Sequence, residues 1–107
     1  MSKFFTINNK RYTAKEFTFG TIRQFEGLGL AMSEIQKKPM TMVSAYLSYC
    51  GNMDIDKADE EINEHVINGG NFDEVLKIIG DGMNESRFFQ ALNKKQEENP
   101  IKEEKTK

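Results

Sequence analysis

Few residues in this chain could do chemistry. His65 is the only histidine, and Glu61 stands one helical turn before it, a spacing at which two ligands on one helix face can share a metal ion. A zinc site of the His-Glu-x-x-His kind needs a second histidine, which the chain lacks. The single cysteine, Cys50, excludes an intramolecular disulfide and a four-cysteine zinc site. His65 therefore reads as a helix-face residue near a helix C-terminus, where positive charge is favoured. Cys50 and His65 could act as nucleophile and base only if the fold joined them, because no local signature surrounds either. Cys50 reads more simply as a small buried apolar residue.

The acids Asp54, Asp56, Asp59, Glu60, Glu61 and Glu64 are dense enough to suggest a cation site. The sixth position of a calcium loop starting at Asp54 is Asp59 where glycine is required, and the run continues as helix. It reads as an acidic, solvated helix start. Carboxylate-pair catalysis needs a pocket that separates two pKa values, and nothing in the sequence points to one. Gly27-Leu28-Gly29 has neither a preceding buried strand nor a third glycine, so a dinucleotide loop is not supported. With no catalytic set, the chain is expected to be a non-enzyme without cofactor or metal.

Six methionines and eight phenylalanines are a different resource. Flexible thioethers fill irregular cores, and they also suit surfaces that adapt to an apolar partner. The expected partner-binding stripe is Met83, Phe88, Phe89 and Leu92, because two adjacent phenylalanines on one helix cannot both face the same core.

The elements that must position these residues belong to a single domain, since 107 residues do not hold two cores. A formal charge of −2 gives no basic field for phosphate binding, so no nucleic-acid partner is expected. The most apolar stretch, residues 40–50, is far shorter than the roughly 20 residues a membrane-spanning helix needs, and no signal-peptide core precedes it.

Residues 3–7 and 11–13 flank Asn8-Asn9-Lys10 and predict a short N-terminal hairpin. Thr18 is an available N-cap for a short helix ending near Leu28, with one or two further turns over residues 30–36. Pro39 opens a second helix that Gly51 closes, apolar over more than half its circumference and therefore central. Ala58, Ile62 and Val66 predict the inner face of a third helix, stopped by Gly69-Gly70. Asn71 and Glu74 have capping-box spacing ahead of a fourth helix through Phe72, Val75, Leu76, Ile79 and Met83, which Gly80 and Gly82 are expected to kink or break. The fold class is thus α+β, mostly helical, with about four helices, a hairpin and a disordered tail: a domain over 1–93 and a charged flexible segment over 94–107.

Five segments stand in order along the chain: Ile7-Asn8-Asn9-Lys10-Arg11-Tyr12, Phe25-Glu26-Gly27-Leu28-Gly29-Leu30, Lys37-Lys38-Pro39-Met40, His65-Val66-Ile67-Asn68-Gly69-Gly70 and Glu85-Ser86-Arg87-Phe88-Phe89-Gln90-Ala91-Leu92. Together they resemble the tail assembly chaperones of long-tailed bacteriophages of Gram-positive hosts. The resemblance implies a non-enzymatic protein of the infected host's cytoplasm, absent from the mature virion, that binds the tape measure protein and keeps it soluble for tail tube polymerisation. It further implies contact with the tail tube protein, self-association, and a longer form made by frameshifting near the end of the gene. A virion subunit such as a head-tail connector, or a small phage regulator, is the alternative.

Overall fold

A tight turn of the I′ kind needs two consecutive residues at positive φ, which asparagine tolerates better than most L-residues. In a computed structural model, which describes residues 3–98, Asn8 and Asn9 take φ of 55° and 63°. They join β1 (Phe4–Ile7) to β2 (Lys10–Thr13) in an antiparallel pair whose register sets Phe5 opposite Tyr12 and Ile7 opposite Lys10. Phe5 and Ile7 are buried, and Phe4 and Thr6 point outward, as the period of two requires.

Among the described residues five α-helices follow: α1 (Phe19–Gly27), α2 (Pro39–Gly51), α3 (Ile55–Ile67), α4 (Asp73–Glu85) and α5 (Arg87–Glu98), with a 3-10 segment over Met32–Lys37 between α1 and α2. Thr18 caps α1 in a reciprocal box with Thr21. Gly29, at φ 89°, lets Leu30 N–H reach back to Phe25 C=O at 2.9 Å and close that helix. Gly69 ends α3 the same way, with Gly70 N–H on His65 C=O at 2.8 Å. The expected hairpin and mostly helical α+β class are present, as are the stops near Leu28 and at Gly69, whereas α2 is closed by Asn52 at φ 56°, one residue beyond the expected Gly51.

α2 is the central element. Its Met42, Val43, Ala45, Tyr46 and Leu47 are buried, while Met40 lies outside the core. The Tyr46 ring sits between Phe5, centroids 5.6 Å apart, and Phe17, at 5.3 Å. Such tilted aromatic contacts add to the apolar area removed from water.

Three sequence expectations are corrected. Asn71 and Glu74 form no capping box: α4 starts at Asp73, Asn71 Oδ1 accepts from Asp73 N–H at 3.0 Å, and Glu74 Oε1 instead accepts from Thr6 N–H at 3.0 Å. Gly80 and Gly82 do not break α4, which continues to Glu85; the break comes at Ser86, whose backbone is extended. A side chain at Gly82 would meet the Phe17 ring at 3.2 Å, so that glycine serves close packing. On α3, Val66 is exposed and Glu61 is buried in its stead. Of the charged segment expected over 94–107, α5 takes in residues up to Glu98. The rest of that segment, 99–107, lies outside the described residues.

Candidate partner-binding surface

The chemistry-bearing residues are not brought together as a reactive site. His65 Nδ1 accepts from Asn8 N–H at 2.9 Å, and Nε2 lies 2.9 Å from the Asn71 carbonyl oxygen, so the ring is committed to two backbone groups. Cys50 lies elsewhere, on α2 near Tyr46, and burial pushes its thiol up, away from the reactive thiolate. Burial likewise raises Tyr46, whose hydroxyl donates to Lys15 C=O. Asp54 is the N-cap of α3, accepting from Lys57 N–H at 2.8 Å. Among the described residues, no group of three or more His, Cys, Asp or Glu is arranged to hold a metal ion. No described helix is long and apolar enough to cross a membrane.

Glu61 is the acid whose setting the sequence conceals. Its carboxylate accepts from Asn8 Nδ2 at 3.0 Å and Lys10 Nζ at 3.1 Å, and pairs with Lys57 at 3.4 Å. The Asn8 amide, then the two ammonium groups, hold its pKa down to about 2. It is a clasp between α3 and the hairpin tip. The other end of the hairpin is held by Lys3, which pairs with Glu85 at 2.8 Å and Asp81 at 3.4 Å on α4.

The four residues of the expected stripe lie around the α4–α5 junction, and all four are half-buried. What seats them is the connection between β2 and α1. Its carbonyls receive side-chain donors in series: Tyr46 Oη on Lys15, Tyr49 Oη on Glu16 at 2.8 Å, and Ser86 Oγ on Phe17 at 2.7 Å. The same connection caps α5, whose first N–H groups find few partners within the helix. Arg87 N–H donates to Glu16 Oε2 at 3.1 Å and Phe89 N–H to Ser86 Oγ at 3.3 Å.

This seating divides the two phenylalanines. Phe89 packs edge-on against buried Phe17, centroids 6.1 Å apart. Phe88 packs edge-on against Phe19 at 6.2 Å, and Phe19 is 65% exposed. Phe88 and Phe89 are themselves edge-to-face at 5.5 Å. The result is a continuous aromatic ridge that runs from the core to solvent. Phe19 is the member that sequence reasoning missed, because only the long-range meeting of α1 and α5 reveals its role.

A second apolar surface lies where α2 and α3 meet the residue after α1: Leu28, Met40 and Ile55 line a shallow groove edged by Asp59 and Ser44. Leu28 and Met40 are both exposed.

No protein-family model, curated protein or solved structure matches the chain.

Proposed function

We propose that this protein is a tail assembly chaperone of a long-tailed bacteriophage, a binding protein that covers apolar stripes of the tape measure protein until tail tube subunits replace it. The observation that carries the reading is the Phe19–Phe88 pair: two large aromatic rings from distant parts of the chain, edge-packed 6.2 Å apart, with Phe19 left mostly in water. Exposed aromatic clusters anchored to a rigid core are what hot-spot contacts need, because the rings lose little freedom when a partner covers them. The ordered resemblance of five segments over most of the chain supplies the identity of the client.

The physical logic is that of a holdase. A long helical client exposes apolar stripes before assembly and aggregates through them. Many copies of a small acidic domain, each lending a patch of aromatic surface, keep those stripes covered. Modest affinity for each copy suits a cover that tube subunits must later displace.

Coexpression with the tape measure protein tests the proposal, read together with the composition of purified particles. The expected result is a client that becomes soluble and a chaperone missing from the particles. A client that stays insoluble contradicts the proposal. Stoichiometric recovery of this chain in particles points to a virion subunit instead.

A further inference from the structure

We infer that His65 is a proton-operated latch on the tip of the N-terminal hairpin. Two segments converge on its ring, the hairpin turn, 57 positions away, and the loop that follows α3. The hairpin turn gives Asn8 N–H to Nδ1 at 2.9 Å, and the loop between α3 and α4 gives Asn71 C=O to Nε2 at 2.9 Å. Gly70 lies so close that an added Cβ would collide with the ring. The two bonds admit one protonation state. Nδ1 must carry its lone pair to accept from an amide, and Nε2 must carry hydrogen to donate to a carbonyl, which is the neutral ring with its proton on Nε2. An imidazolium keeps the bond to Asn71, but its Nδ1–H then points at the Asn8 N–H, donor against donor. Protonation therefore breaks one of the two bonds and spares the other.

The amide released is at the turn itself, where Asn8 is already held at positive φ. Asn8 has a second grip, Nδ2 on Glu61 at 3.0 Å. The hairpin tip is thus fastened by two side chains one helical turn apart, and the Glu61 grip keeps its charge down to about pH 2. The charged groups around the junction are Lys10 on β2, Glu61 and Glu64 on α3, and Asp73 and Glu74 on α4. Lys10 is paired with Glu61 at 3.1 Å and Glu74 accepts from Thr6 N–H at 3.0 Å, while Glu64 and Asp73 are exposed to water. None of them provides the Asn8 N–H with a replacement acceptor in this arrangement.

The test is residue-resolved NMR on the full wild-type chain, following the Asn8 amide and the His65 ring between about pH 8 and about pH 5. The Asn8 amide is expected to shift with the same midpoint as the ring. Its exchange protection, after correction for the intrinsic pH dependence of exchange, is expected to fall about tenfold while Tyr46 and Leu47 amides keep theirs. An Asn8 amide that neither shifts nor loses protection as the ring titrates overturns the inference. So does a ring that takes up no proton above about pH 5. Loss of protection at Tyr46 and Leu47 with the same midpoint also overturns it, because that is global unfolding and no latch.

Discussion

Ser86 Oγ donates to the carbonyl oxygen of Phe17 at 2.7 Å, joining the break between α4 and α5 to a segment 69 positions earlier in the chain. Ser86 is 1% exposed, and the same oxygen receives Phe89 N–H, so one small side chain satisfies a buried acceptor and caps a helix. Ser86→Ala removes both bonds. It is expected to cost about 2 kcal/mol, read as a lower urea midpoint, with α5 amides losing exchange protection before those of α2.

Glu61 sets the response to acid. Its carboxyl is held at about 2 when folded, against 4.5 in the free side chain, so the unfolded chain binds the proton more readily. The stabilisation it brings is fully present above about pH 4.5 and is lost as the pH falls from there towards about 2. The wild-type protein and Glu61→Gln should therefore differ in urea midpoint at neutral pH and converge in that acidic window. Parallel curves down to the lowest pH would show that the clasp is not what acid opens.

Much of this architecture is legible in local signals. Asn8-Asn9, Thr18, Pro39 and Gly69 act within a few residues of themselves, so turn, cap and stop chemistry places them without knowledge of the fold. Glu61, Ser86 and Phe19 are illegible for the opposite reason. Each is explained by a partner more than fifty positions away: Asn8 and Lys10, Phe17, and Phe88. Glu74 misled for the same cause, because a local capping pattern was outcompeted by an unpaired strand amide at Thr6. Met83, Phe88, Phe89 and Leu92 lie around one junction, and the outward ring of Phe88 pairs with a residue from another helix.

Gly70 has no room for a side chain, because a Cβ there would run into the His65 ring. Gly70→Ala is expected to push the ring off its two partners and lower stability by about 1–3 kcal/mol, as overpacking does. Thermal denaturation checks the loss, and a shifted Asn8 amide in the still-folded protein would locate it.

The turn makes a gentler prediction. Asn9 sits at φ 63°, a conformation that costs alanine more than asparagine. Asn9→Ala is expected to lose about 1 kcal/mol, measured by urea denaturation. Asn9→Gly is expected to hold stability close to wild type.

The two phenylalanines of α5 should part company on substitution. Phe89, packed on buried Phe17, is expected to cost about 2 kcal/mol as Phe89→Ser. Phe88→Ser, losing a contact with an exposed ring, should leave the fold intact by circular dichroism.

The most direct measurement is the binding of a soluble tape measure fragment to the wild-type chain and to the double variant Phe19→Ser, Phe88→Ser, each first shown to be folded. Binding by the wild type and its loss, at least tenfold, in the folded variant is the predicted result. Equal binding by both proteins, or none by the wild type, would contradict the aromatic ridge as the working surface.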